Sequence, residues 1–262
     1  MNLLQYRAST LERHRIQRLM ELIPSGGDTA LDVGARDGHI SMRLAAFFHT
    51  VTALDIRPHL GRAPAVRFVA GDACALSFPD RTFDLVLCTE LLEHLPARSL
   101  PVACAEIVRV AKRFVIIGVP YLQDLRVGRT VCNACGKVNP PWGHVNTFDE
   151  SRLRALFAPL RCERVQLVGT TRSRTNALAT LLMDIGGNPY GTYEQDETCI
   201  YCQASLTPPP AARSILQRAA SRLAILANQC QSHFVLESPN WIHVLFARSH
   251  VKLPARDKAP LT

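Results

Sequence analysis

Apolar positions recur along this chain in two rhythms that alternate. Leu11, Ile16, Leu19, Met20 and Ile23 repeat at helical spacing up to Pro24, and Ser9 with Glu12 fits a capping box, so the chain opens on an amphipathic helix. The pattern then turns to strand, turn and helix: a strand at 29–33, a tight loop at 34–38, and a helix at 40–48 with a strongly apolar face. Short apolar runs at 51–56 and 66–69 predict two more strands. The near-continuous run at 83–88 predicts a strand covered on both faces. A helix follows at 101–112, with Pro101 in the tolerated first turn, and then a buried strand at 113–119 ended by Pro120. This alternation predicts an α/β fold, a doubly wound sheet with helices on both faces.

The second half is less regular. Helices are expected at 149–157, 176–185 and 215–227, and strands at 164–168 and 241–247, the last closing a sheet of about seven strands in antiparallel sense. The stretch 211–228 after the breaker Pro208-Pro209-Pro210 is a basic helix. Its apolar Ile215, Leu216, Ala219, Leu223 and Leu226 stand opposite arginines, which predicts packing on its own domain. Two stretches break the alternation, 122–146 and 186–204. Each is too short to bury a core alone, so both read as insertions on one domain spanning 1–262. The tail 252–262, with Pro254 and Pro260, is expected to be mobile.

Hydrophobic residues make up 47% of the 262 positions and charged residues 20%, ordinary globular usage that excludes wholesale disorder, collagen and coiled coil. No apolar run approaches the length of a bilayer span, and the N-terminus does not read as a secretory signal, so a cytoplasmic protein is expected. The net charge of +8 makes an anionic partner such as RNA conceivable. Nine cysteines, an odd number, argue against a disulfide framework, yet four of them form two CxxC pairs.

Candidate chemistry gathers at the strand ends. Leu31-Asp32-Val33-Gly34-Ala35-Arg36-Asp37-Gly38 puts an acid at the end of a buried strand, then glycines that let backbone approach a ligand. Asp55 ends the next strand, where a carboxylate can accept from both hydroxyls of a ribose. Gly71-Asp72-Ala73 ends the third, with a carboxylate suited to an exocyclic adenine amine. In a doubly wound sheet these ends share one edge, so the three acids are expected to converge on one crevice.

Four ordered motifs carry a resemblance: LDVGARDGHIS, ALDI, GDACALSF and FDLVLCTELLEHL. They resemble the class I S-adenosylmethionine-dependent methyltransferases, of the group with a methyltransferase type 11-like, Rossmann-like core, over a cofactor-binding half at 25–120. The resemblance implies that Asp32, or water held by it, helps orient the amino acid portion of S-adenosylmethionine beside Gly34 and Gly38, with Arg36 in the same loop. It implies that Asp55, followed by Ile56, holds the ribose; that Asp72 and Ala73 contact the adenine with Cys74 alongside; and that Thr89 and Glu90 line the methionine side. Arg36 stands where the family often has a middle glycine. A dinucleotide-dependent oxidoreductase would share the sheet and the ribose acid, but G-A-R-D-G lacks the second glycine that a pyrophosphate needs.

Methyl transfer to a hydroxyl or protonated amine also needs a base. Candidates are Glu90, Glu93, His94 and His144. His94 reads first as a residue packed against the cofactor loop. His144, in Trp142-Gly143-His144, reads as a base, a metal ligand or a surface loop residue, and Tyr121 as a substrate wall. Cys132-Asn133-Ala134-Cys135 has the form of a zinc knuckle, and Cys199-Ile200-Tyr201-Cys202 would supply two further thiolates. Both pairs follow strands that end on the crevice side, so the expectation is one structural zinc on Cys132, Cys135, Cys199 and Cys202, tying two loops into a lid. The other five cysteines are expected to be packing residues. The expected acceptor is a small or carrier-linked metabolite methylated on oxygen or nitrogen; RNA and a noncatalytic scaffold are the alternatives.

Overall fold

In the computed structural model, residues 3–57, 65–195, 197–209, 212–232 and 234–251 are described. The tail expected to be mobile, 252–262, and the first residue of the basic stretch, Ala211, lie outside them. The apolar runs become seven strands of one sheet: β1 (Thr29–Val33), β2 (Thr50–Asp55), β3 (Val66–Ala70), β4 (Phe83–Thr89), β5 (Ala111–Pro120), β8 (Arg161–Val168) and β9 (Trp241–Ala247). Their order is β3-β2-β1-β4-β5-β9-β8, with β9 antiparallel to both neighbours and the first five parallel. Every residue of β4 and of β9 is buried, as befits strands covered on both faces. The sheet's two faces carry separate cores. One holds Leu31, Val33, Val86 and Ile107, the other Leu19, Leu44, Leu85 and Ile116.

Helices α1 (Leu3–Ala8), α2 (Thr10–Met20), α3 (His39–Leu44), α4 (Leu100–Val110), α5 (Glu150–Leu156), α6 (Ala177–Ile185) and α7 (Ile215–Ser232) complete the chain, with a two-stranded hairpin of β6 (Thr130–Val131) and β7 (Val138–Asn139). Helix α1 and this hairpin are additions to the expected elements. The capping box at α2 is half formed. Ser9 Oγ accepts from Glu12 N at 3.2 Å, but the Glu12 carboxylate turns inward to Arg15 instead of back to Ser9. Of the cysteines expected to pack, Cys88 and Cys104 are buried and Cys74 and Cys162 partly so; Cys230 is exposed.

Helix α7 packs the other way round from expectation. It meets α6 through Ala220, Ser221 and Ala224, which are buried, while Ile215, Leu216, Leu223 and Leu226 face solvent. Small and polar residues win this interface because they allow close approach. A Cβ on Gly186 would lie 2.2 Å from Ser221 Oγ, and Thr175 Oγ1 donates to Asn228 Oδ1 at 2.8 Å. Among the described residues no helix is long and apolar enough to cross a membrane.

Candidate active site

The loop after β1 is shaped by its backbone. Gly34, Arg36 and Gly38 all take left-handed φ, at 80°, 50° and 78°. Arg36 therefore supplies the conformation of the glycine it replaces, at a modest steric cost for a side chain. Gly38 cannot be replaced so easily, since a Cβ there would stand 2.5 Å from the Phe68 ring. The amides of Gly34 and Ala35 both donate to Leu54 O, which ties the loop to the end of β2.

The three acids share this edge at different depths. Asp32 is buried beneath the loop, where Ser41 Oγ donates to its Oδ2 at 2.6 Å; burial raises its pKa to about 6 against the pull of that hydrogen bond. Asp55 accepts from Arg36 N at 2.8 Å and Arg57 N at 2.9 Å, one on each oxygen, leaving a further lone pair on each. Asp72 is exposed and accepts from Cys74 N at 2.8 Å; Ala73 beside it is buried and Ile56 exposed.

A cavity of about 770 Å³ opens beside the loop. Gly34, Arg36, Thr89, Glu90, His94 and His144 reach it, whereas Asp32, Asp55 and Asp72 do not line it, so the three acids do not converge on this one cavity; Asp55 meets its lining through Arg36 N. Tyr121 is part of its wall. Glu90, at φ 53°, holds its carboxylate near the buried Arg15, with Arg15 Nη1 3.8 Å from Glu90 Oε1. Glu12 holds the rest of that guanidinium through two bonds of 2.7 Å, and Trp241 lies 5.7 Å from it. Arg15 Nη1 and Glu90 Oε1 are nevertheless both shut from solvent and without a hydrogen-bond partner. Burial raises the Glu90 pKa, offset by Arg15.

His94 and His144 meet edge to face, ring centroids 4.6 Å apart. His144 Nδ1 lies 2.6 Å from Gln123 Oε1; an amide oxygen only accepts, so Nδ1 carries the hydrogen and Nε2 is left as an acceptor. Burial lowers His94 to about 4, helped by the charge of Arg36, and lowers His144 to about 3, helped by His94. Both rings are therefore neutral at pH 7. Glu93 beside them is fully buried with neither carboxylate oxygen partnered, and burial pushes its pKa well up. One ligand atom from each of Glu93, His94 and His144 falls within 4.8 Å of the others. The Trp142–His144 turn is docked here by Val145 N and Asn146 N, which both donate to Glu93 O.

The two insertions form the outer wall, contributing Val127, Trp142, Tyr190 and Thr192 to the cavity. Thr192 N donates to Gly128 O at 2.9 Å, and Trp142 N to Thr192 Oγ1 at 3.1 Å. The structure brings all four expected cysteines together: Cys132 Sγ lies 3.6 Å from Cys202 Sγ, Cys135 Sγ 3.7 Å from Cys199 Sγ, and all four sulfurs within 4.8 Å. The two pairs are built alike. Gly136 N donates to Cys132 O and Gln203 N to Cys199 O, and Gly136 and Gln203 both take left-handed φ.

Residues 31–116 match a family described as a methyltransferase domain. This third of the chain is similar to that domain. Over 95 residues it is 38% identical to 2-methyl-6-phytyl-1,4-hydroquinone methyltransferase of Synechocystis, covering 33% of this chain and 29% of that one. Over 141 residues it is 29% identical to a ubiquinone biosynthesis O-methyltransferase of Pseudomonas fluorescens, covering 42% and 59%. The chain thus spans between about a third and three fifths of the length of these curated relatives. The N-methyltransferase NodS of Bradyrhizobium japonicum, solved with S-adenosyl-L-homocysteine, shares the fold at TM-score 0.53 and 15% identity, over 94% of this chain and 91% of that one. The [4+2]-cyclase SpnF does so too, at TM-score 0.53 and 16% identity over 92% and 83%, so the fold alone does not name the reaction.

Residues outside the matched stretch, which the sequence does not advertise, also reach the cavity. Tyr6, Arg7, Glu12 and Arg15 of α1 and α2 reach the cavity, and Arg7 clamps Asp37 of the loop through two bonds of 2.6 Å. The available signal was Glu12 and Arg15 on the same face as Ile16 and Leu19, a charged pair set on a stripe that must be buried.

Proposed function

We propose that the protein is an S-adenosylmethionine-dependent methyltransferase acting on an oxygen of a small or carrier-linked hydroxylated metabolite. The observation that carries this reading is a pair of polar atoms, Arg15 Nη1 and Glu90 Oε1, 3.8 Å apart, shut from solvent and without a hydrogen bond, on residues that line the cavity next to the Gly34 loop. A guanidinium and a carboxylate that each keep one unused hydrogen-bonding atom suit the carboxylate and ammonium of a free amino acid, which no nicotinamide offers. Asp55 has a spare acceptor site on each oxygen for the ribose hydroxyls, and Asp72 and Ala73 lie beyond it for the base. When bound, the cofactor supplies a methyl group already activated by its sulfonium.

The protein's own part is to position, to exclude water and to take a proton. Tyr121 and Trp142 form walls that hold the acceptor. His144 takes the acceptor's proton at Nε2 while Gln123 holds the ring by Nδ1. Burial disfavours the charged ring, so the proton taken at Nε2 passes on to water at the cavity mouth and the ring returns to its neutral form. The oxygen acceptor is supported by the relatives named as O-methyltransferases.

The four thiolates fit a structural zinc. A tetrahedral ion with Zn–S bonds of about 2.3 Å has S···S edges of about 3.8 Å, close to the 3.6 and 3.7 Å separations of the cysteine sulfurs. Such a closed site holds the outer wall and leaves no position for substrate.

The test is transfer of labelled methyl from S-adenosylmethionine to a panel of catechols and hydroquinones. Label is expected in an O-methyl product, with His144→Ala lowering kcat by about 10²- to 10³-fold at unchanged cofactor affinity. Cofactor binding with no transfer to any hydroxylated acceptor would leave a scaffold in place of the enzyme.

A further inference from the structure

The α6–α7 hairpin turns its leucines outward. On α7 the buried positions are Ala220, Ser221 and Ala224, with Gln217 and Asn228 half-buried on the same side. Opposite them Ile215, Leu216, Ala219, Leu223 and Leu226 form a stripe along the exposed side of the helix, Ile215 at 85% exposure. The antiparallel partner α6 adds exposed Leu178, Leu181 and Ile185. Just past α7, Phe234 and Leu236 are 86% and 87% exposed. So many large apolar side chains in one exposed hairpin exceed the scatter expected of a surface that faces only water.

The charges beside the stripe select its partner. Arg218 and Arg222 lie one turn apart along its flank and α7 contains no acidic residue, while Arg213 before the helix turns to Ser221 Oγ on the packed side. The single acid of α6, Asp184, is held by Arg129 at 2.8 Å. A second copy of this chain would bring one arginine row against another. An anionic lipid surface instead receives the leucines among its acyl chains and the arginines at its phosphates, the arrangement of an interfacial helix lying in the membrane plane.

We propose that the α6–α7 hairpin docks the protein on the anionic face of a lipid bilayer. The cavity is bordered by Ser173 and Arg174 just before α6, by Tyr190 after it and by Ser238 after α7, so docking sets its mouth near the headgroups. The docking surface shares no residue with the cofactor site and stands or falls apart from it.

The experiment is co-sedimentation of the full chain with vesicles of phosphatidylcholine alone and with about one third phosphatidylglycerol. The chain is expected to partition onto the anionic vesicles at least about tenfold better than onto neutral ones. Leu216→Ser/Leu223→Ser/Leu226→Ser and, separately, Arg218→Glu/Arg222→Glu are each expected to lose about tenfold or more, with melting temperature and cofactor affinity unchanged because these side chains lie on the surface. Equal partition of wild type and both variants would overturn the proposal. So would no partition of the wild type, or a concentration-dependent dimer that the serine variant abolishes.

Discussion

Asp32 shows that the Gly34 loop is held at a cost. Its pKa is raised to about 6 by burial, so the group penalises the fold as pH rises from the unfolded value near 4 through 6, and fully so above. The difference of roughly two pH units is worth roughly 3 kcal/mol. Asn in its place keeps an oxygen for Ser41 and carries no charge. Asp32→Asn is therefore expected to gain about 2–3 kcal/mol on wild type between pH 4 and pH 7.5 in urea melts. A stability difference that stays constant across that range would contradict this account of the loop. His94 and His144 act in the opposite sense. Their folded values, about 4 and about 3, lie below the usual 6.5, so the stability they contribute is present above that value and is lost as pH falls. That Asp32, Asp55 and Asp72 stand at or just past strand ends was legible because each follows a short apolar run. Arg15 was not, since a charge on a helix reads as solvated until the long-range partner, Glu90, is known to lie against it.

At the scale of elements, the strands were the clearest part of the sequence. β1 and β9 have the expected ends because both are short apolar runs bounded by polar or turn residues. The β6–β7 hairpin is too short, at two residues a strand, to show any period. In α7 the periodicity revealed the stripe, but not which side would meet α6, because small residues that permit close approach leave no hydrophobic signature. Two element-level outcomes follow from the geometry. Gly38→Ala, with a left-handed φ and a Cβ pressed on Phe68, is expected to cost about 2 kcal/mol and to weaken cofactor binding, read by melting and calorimetry. Purified protein is expected to hold one zinc. Cys132→Ser/Cys199→Ser should lose it, raising hydrogen exchange at 122–146 and 186–204 while the sheet stays protected. Zinc well below half an equivalent, with chelators leaving the melt unchanged, would refute the metal.

For the whole molecule, five parallel strands deliver the Gly34 loop and the three acids to one edge, and β9 and β8 close the sheet. The cavity lies where these parts meet, with α2 supplying from the far side of the sequence the arginine that the motifs omit. This assembly makes one demand above the others, that the site hold a nucleoside joined to an amino acid. Titration calorimetry of the full chain with S-adenosyl-L-homocysteine measures it directly. One equivalent should bind, with Asp55→Ala and Glu90→Gln each weakening affinity by about tenfold or more through lost charge-assisted hydrogen bonds. No heat of binding, or an affinity that both substitutions leave unchanged, would contradict the assignment of this cavity and these acids.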